Sequence, residues 1–129
     1  MASIRVTPFS AGGKHDVIRQ FLDKDAKRLP GVATAVLDAL RVLELTPQLD
    51  LRAYGCLSLL RDGVWEVRIE KIPVIRKPKD HWVRLFVAYY PTGIECVVLL
   101  VKVKKTNKID PDDTNQAIRN LGLYKKQRS

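Results

Sequence analysis

Apolar residues in the first half of the chain recur mainly at the spacing of amphipathic helices. One short stretch, residues 3–9, alternates apolar and polar side chains and predicts a first strand. Two longer stretches, residues 14–29 and 32–45, place their apolar residues three and four positions apart, which predicts two helices. Pro30-Gly31 separates these helices, and Thr46-Pro47 ends the second. The first half therefore predicts a strand followed by a helical hairpin.

The second half alternates apolar and polar residues with a period of two, which is typical of strands. Residues 56–60 and 64–70 flank Asp62-Gly63, a dipeptide that indicates a tight hairpin turn. Residues 82–90 and 94–104 flank a second turn, and a long basic loop joins the two hairpins. We predict one α+β domain over residues 1–129, with a twisted antiparallel sheet on which the helical hairpin lies.

A final helix is predicted from Asp110-Pro111 onward. Asp is a favoured N-cap, and Pro fits the first helical position because its missing N–H would have no helical partner there. Residues 125–129 are expected to fray, since Gly122 weakens the end of this helix.

The charge of the chain is unevenly placed. The formal net charge is +9, and residues 61–129 carry +7 of it while residues 1–60 carry +2. A positive excess on one half of a domain indicates a surface for a polyanion such as a nucleic acid. Solubility is the alternative explanation.

The apolar runs and the cysteines suggest a cytoplasmic protein that does not associate with membranes. The longest apolar run is far shorter than the roughly 20 residues that span a bilayer, and the first ten residues lack a signal-peptide pattern. Cys56 and Cys96 lie in apolar strand-like runs, so we expect both to be buried and reduced; a disulfide between them is the alternative.

Basic and aromatic residues are predicted to share one face of the sheet. If Tyr90 pairs with Ile94 across the second turn, Trp82 lies opposite Lys102 and Arg84 lies opposite Leu100. That face suits phosphate contacts and base stacking, or it is simply solvated. The other face would pack under the helices with its apolar residues, namely Val83, Leu85, Val87, Val97, Leu99 and Val101.

Familiar catalytic motifs are absent from the sequence. It contains no Gly-rich phosphate loop, CxxC, HExxH or nucleophile elbow, which predicts a function without metal or cofactor. His81 is the candidate acid or base near neutral pH, since histidine titrates in that range.

Four fragments in the second half occur in a specific order. Residues 60–68 read Leu-Arg-Asp-Gly-Val-Trp-Glu-Val-Arg, and Arg84 follows in the next strand. The apolar run 97–100 leads into Lys104-Lys105-Thr106, and a helix then ends near Tyr124. This series resembles the RelE/HigB superfamily, and more closely the phage-derived HigB-like branch of toxins from bacterial toxin–antitoxin pairs.

The resemblance, which covers residues 56–124, implies a RelE-like fold and an activity. The fold is a twisted antiparallel sheet with two N-terminal helices and a C-terminal helix. The activity is metal-independent endoribonuclease cleavage of mRNA, commonly in the ribosomal A site, which inhibits translation until an antitoxin blocks it. The implied partners are mRNA, the ribosome and a cognate antitoxin, either a helix-turn-helix HigA-like protein or one with an acidic tail.

Matching the motifs assigns roles to individual residues. Arg68 and Arg84 would stabilise the phosphate in the transition state, although Arg84 is alternatively an ion-pair partner of Glu66 or Glu95. Tyr124 is either a catalytic partner or a packing residue. The candidates for holding RNA are Lys102, Lys104, Lys105, Trp82, Lys77 and Lys79.

The sequence also departs from the family pattern. Val101 and Val103 stand where the family has histidine and phenylalanine. His81 and Trp82 are therefore candidates for the roles that other residues have in members of the family. Two other functions remain open. One is a non-catalytic basic RNA- or DNA-binding regulatory module of phage or mobile-element origin, and the other is a protein-interaction domain whose basic face meets an acidic tail.

Overall fold

The computed structural model describes residues 3–76, 78, 81–106, 108 and 110–128. The predicted strand, two helices, two hairpins and final helix are all present, and a short helix that was not predicted follows the second one. The elements in chain order are β1 (Arg5–Pro8), α1 (Val17–Lys24), α2 (Pro30–Leu45), α3 (Gln48–Ala53), β2 (Leu57–Arg61), β3 (Val64–Arg68), a 3-10 helix (Ile69–Lys71), β4 (Trp82–Tyr89), β5 (Glu95–Lys104) and α4 (Pro111–Arg128).

The sheet has five strands in the order β1-β5-β4-β3-β2. Four of them are antiparallel neighbours, as predicted, but β1 pairs with β5 in parallel. The predicted antiparallel sheet is therefore confirmed for β2 to β5, whereas β1 adds a parallel strand. The reason is that the three helices carry the chain away from β1, which joins the edge formed by the last strand instead of pairing with β2.

Both faces of the sheet carry a hydrophobic core. The helices α1 to α3 cover one face, where Val83, Leu85 and Val87 of β4 pack with Phe21 and Leu43. On the opposite face, Phe86 and Ala88 pack with residues of α4, among them Ala117 and Leu121. Part of the face that we expected to be solvated is therefore covered by the C-terminal helix.

A bulge in β5 changes the predicted register. Phe86 pairs with Leu100 whereas Val87 pairs with Val98, so Leu99 is an extra residue. The predicted pairing of Tyr90 with Ile94 was wrong by one residue, because Tyr89 pairs with Cys96, and the bulge adds a second residue to the error towards Trp82.

The bulge also decides which side chains share a face. Val97 and Leu99 were predicted to pack under the N-terminal helices, but they pack under α4. At the other end of the strands, Trp82 lies opposite Lys104 and Arg84 opposite Lys102. The predicted opposition of Trp82 to Lys102 and of Arg84 to Leu100 was therefore wrong.

Local signals at turns and helix ends correspond to the structure. Asp62 and Gly63 both have positive φ, at 52° and 82°, which is the backbone of a tight hairpin turn. Helix α4 is continuous to Arg128, so residues 125–128, expected to fray, are helical. Gln127 Nε2 donates to the Ser10 carbonyl at 2.9 Å, which ties the end of the helix to the domain. In the described part of the chain, no helix is long and apolar enough to cross a membrane.

Candidate functional site

Three of the predicted phosphate-binding cations form a row across the sheet. Arg68 of β3 is in register with Arg84 of β4, and Arg84 is in register with Lys102 of β5. Alternation along each strand points these side chains to the face that α4 covers. The row lies beyond the N-terminal end of α4, since Lys102 reaches Asp113 in the first turn of that helix.

Arg84 is buried and bound to two carboxylates. Its side chain is 3% exposed, and Nη1 lies 2.7 Å from Glu70 Oε2. Its Nε lies 3.8 Å from Glu66 Oε2, and Nη1 also donates to the Val83 carbonyl at 3.2 Å. A buried guanidinium needs such partners because an unpaired buried charge is costly. Of the two ion-pair partners predicted for Arg84, Glu66 is confirmed. Glu95 instead lies near Arg5 and Arg128.

Arg68 completes a group that we name the buried quartet: Arg68, Arg84, Glu66 and Glu70. Arg68 Nε lies 3.0 Å from Glu66 Oε1, and its side chain is 29% exposed, which makes it the most accessible of the four. Two cations and two carboxylates leave the quartet with no net charge. The quartet therefore attracts a phosphate less than the row of cations alone would.

Sequence reasoning did not assign Glu70 a role in this site. The alternation of β3 places Glu66, Arg68 and Glu70 on one side, and that signal was present. The partnership of Glu70 with Arg84 depends on the 3-10 helix that follows β3, which the sequence did not reveal.

Lys102 and Lys104 are held by an acid of α4. Their Nζ atoms lie 3.6 Å and 3.2 Å from the carboxylate oxygens of Asp113. Lys104 Nζ also donates to the Lys108 carbonyl at 3.0 Å. Lys102 remains 46% exposed, and Lys105 is exposed as well. Lys77 and Lys79, the other predicted RNA-binding lysines, lie outside the described residues.

A basic groove of about 900 Å³ runs between β5 and the end of α1. One wall is formed by Lys102, Lys104 and Lys105 with His81, and the other by residues 23–29. The second wall adds three exposed cations, Lys24, Lys27 and Arg28, against Asp23 and Asp25. Six basic and two acidic residues thus line the groove, and Lys102 and Lys104 at its edge also pair with Asp113 of α4.

No protein-family model, curated protein or solved structure matches the chain. The resemblance to RelE/HigB toxins therefore still rests on the four sequence fragments.

The cations of the second groove wall were missed by sequence reasoning. They belong to the half of the chain whose net charge is only +2, and acids at Asp23 and Asp25 alternate with them. Their only signal was their density, three cations within residues 24–28, and nothing in the sequence indicated that β5 would lie beside them.

Trp82 and Tyr124 have different surroundings. Trp82 is half-buried, with the Arg84 Cζ atom 5.8 Å from its ring centroid, a cation–π distance. Tyr124 is buried in the core under α4, and its ring centroid lies 6.3 Å from that of Tyr90. The structure thus separates Tyr124 from the groove, whose lining it does not join.

Both cysteines are free and buried. Burial raises the pKa of the Cys96 thiol to about 12, and it raises the pKa of Cys56 as well. Such thiols are poor nucleophiles near neutral pH. Among the described residues, no group of three metal-ligating side chains comes together.

Proposed function

We propose that this protein binds single-stranded RNA in the basic groove. The observation that carries the proposal is the lining of the groove, where cations stand on both walls. A single strand of RNA exposes phosphates along its length, and such strands bind in positively charged grooves that follow the backbone. The groove volume of about 900 Å³ favours a few nucleotides of one strand over a duplex.

We further propose that the protein cleaves the bound strand, as an endoribonuclease toxin of a type II toxin–antitoxin system. The resemblance of residues 56–124 to RelE/HigB toxins supports this activity. Cleavage next to a ribose requires deprotonation of the 2′-hydroxyl, stabilisation of the phosphorane and protonation of the leaving oxygen. In this proposal neutral His81 accepts the proton of the 2′-hydroxyl and returns it to the leaving 5′-oxygen, while Lys102 and Lys104 stabilise the charge on the phosphorane.

The buried quartet has a supporting role in this proposal. Arg84 is a positioning residue, because its guanidinium is taken up by Glu70 and Glu66. It holds β4, and with it His81, which directly precedes that strand, against β3. Arg68 is more exposed and lies two strands from β5, so it is placed to contact RNA that extends beyond the groove.

The proposed partners follow from this activity. They are mRNA and the ribosome, and a cognate antitoxin that is either a helix-turn-helix HigA-like protein or a protein with an acidic tail. The proposed compartment is the cytoplasm, where such substrates occur. No metal or cofactor is assigned a role in the proposed reaction.

A second candidate function is a non-catalytic RNA- or DNA-binding regulatory module. The observation that favours it is the burial of two of the four predicted catalytic residues, Arg84 and Tyr124. In this case the groove binds a strand and no residue beside it transfers a proton.

Replacement of His81 distinguishes the two functions. With purified protein and an RNA oligonucleotide, His81→Gln should lower the single-turnover cleavage rate by about a hundredfold, the usual range for loss of an acid–base group. RNA affinity should change little. His15→Gln is the matched control, because His15 is exposed and lies outside the groove lining.

Expression in bacteria provides the corresponding test in cells. The wild-type chain should arrest translation and growth, and His81→Gln should do so less. Tight binding without cleavage, together with normal growth at high expression, would establish the regulatory module instead.

A further inference from the structure

In the described part of the chain, no strand pairs with the outer side of β5 along half of its length. β1 pairs with β5 only from Arg5–Glu95 to Pro8–Val98, and the Phe9 N–H donates to the Val98 carbonyl at 2.8 Å. Asn120 Nδ2 then donates to the Leu99 carbonyl at 2.8 Å. From residue 100 to Lys104, no strand in the described ranges pairs with the outer side of β5. We name this segment, residues 100–104, the open edge.

Open space lies on both sides of the open edge. The basic groove flanks it towards α1, and a second depression of about 490 Å³ flanks it towards the start of α4. The two spaces share Lys102, Val103 and Lys104. A further strand would lie about 4.8 Å from β5, so these spaces provide the room that it needs.

The side chains of the open edge alternate in character. Val101 and Val103 point to the face of α1 to α3, and Lys102 and Lys104 point to the face of α4. In an added strand, acidic residues opposite Lys102 and Lys104 would stabilise the pairing, whereas basic residues there would destabilise it. Residues that face Val103, which is only half-buried, are favoured if they are apolar.

A second copy of this chain does not meet these requirements. If two open edges paired, lysine would stand near lysine, and the two proteins would each bring a net charge of +9. An acidic strand instead places carboxylates beside Lys102 and Lys104. Charge complementarity thus selects a different protein with an acidic, alternating segment.

We propose that the open edge of β5 binds an extended acidic segment of another protein as a sixth strand of the sheet. Its main chain would form hydrogen bonds with residues 100–104, and its acidic side chains would share Lys102 and Lys104 with Asp113. The occupied site overlaps the groove, so the segment would exclude RNA. That exclusion rests on the proposed function, whereas binding of the strand does not.

A synthetic peptide tests the proposal on the wild-type protein. A peptide of about eight residues that alternates Glu and Val covers the open edge. Its binding is measured by fluorescence anisotropy, and the amides it protects by NMR hydrogen exchange. We expect protection at the amides of residues 100–104 that face away from β4, and not at β1 or β2, the two strands at the ends of the sheet. The control is the same peptide N-methylated at its central residues, which keeps the charge and removes the donors of the ladder.

The two peptides separate strand addition from attraction of charges. We expect N-methylation to weaken binding by about tenfold or more, since several main-chain hydrogen bonds are lost. Equal binding of both peptides, or protection outside the open edge, would overturn the proposal. So would the absence of peptide binding to a protein that binds RNA.

A charge reversal supplies a second test. Lys102→Glu should weaken binding of the Glu-Val peptide, because the Lys102 side chain is 46% exposed beside the added strand. Lys125→Glu, in the exposed end of α4 outside the groove, should leave it unchanged. Equal loss in both variants would overturn the site. Displacement of a bound RNA oligonucleotide by the peptide would confirm that the two compete. Peptide binding without any RNA binding would refute the proposed function but would still support strand addition.

Discussion

Replacement of Arg84 by methionine tests the role of the buried quartet. Methionine keeps much of the side-chain volume and removes the charge that Glu70 and Glu66 share. In the described part of the chain, the second carboxylate oxygen of Glu70 is buried and accepts no hydrogen bond. The variant would therefore leave Glu70 without the ion pair and the hydrogen bond that Arg84 supplies.

The expected cost follows from burial of the pair. The side chains of Arg84, Glu66 and Glu70 are 3%, 2% and 9% exposed, so solvent screens their interactions little. Loss of one partner of a buried ion pair costs about 3–5 kcal/mol of unfolding free energy. For a chain of this size, 1 kcal/mol shifts the Tm by about 4 °C, so we expect a decrease of about 10–20 °C.

The assay is urea or thermal unfolding, combined with RNA affinity and single-turnover cleavage expressed per folded molecule. Arg84→Met/Glu70→Gln should recover about 2 kcal/mol, because it removes the stranded carboxylate together with the cation. Arg84→Met should retain RNA affinity. A variant of wild-type stability whose cleavage rate has fallen about a hundredfold would contradict the positioning role and identify Arg84 as a catalytic residue.

Two further outcomes are expected. RNA affinity should fall steeply with salt, with a log–log slope of about −3.5 if about five phosphates are neutralised. Lys104→Ala should flatten this slope by about 0.7, and an unchanged slope in that variant would show that Lys104 does not contact RNA. The pKa of Cys96 is raised by burial to about 12, above that of the unfolded thiol, so unfolding free energy should fall as the pH rises from about 9 to about 12. Cys96→Ala should flatten that decrease in alkaline urea titrations, and an equally steep decrease in the variant would contradict the assignment.

The parts of the fold that sequence predicted correctly depend on local signals. Asp62-Gly63 marks its hairpin because both residues adopt positive φ. Asp110-Pro111 marks the start of α4, and Pro30-Gly31 separates the helical stretches, although α2 already begins at Pro30. Each signal acts within a few residues and needs no knowledge of the rest of the chain.

The parts that sequence did not predict depend on distant contacts. The run from Cys96 to Val101 is apolar throughout, so its pattern could not show that Leu99 is an extra residue. The register error that followed misplaced Arg84 relative to Lys102. The ion pair of Arg84 with Glu70 depends on the irregular turn after β3. The position of Lys24 beside β5 brings together two segments that are distant in sequence.

The most direct test of the account compares RNA binding by two triple variants. One removes the cations of the α1 wall, as Lys24→Ala/Lys27→Ala/Arg28→Ala. The control removes three exposed cations outside the groove lining, as Lys14→Ala/Arg41→Ala/Lys125→Ala. Both lose the same charge, so the comparison isolates the position of the charge from its amount.

The measurement is the affinity for a single-stranded RNA oligonucleotide at several salt concentrations. We expect the groove variant to bind more weakly, with a salt slope shallower by up to about 2, the share of three phosphate contacts. The control variant should keep a slope close to that of the wild type. Equal effects of the two variants would show that RNA responds to net charge alone, and the groove would not be the binding site.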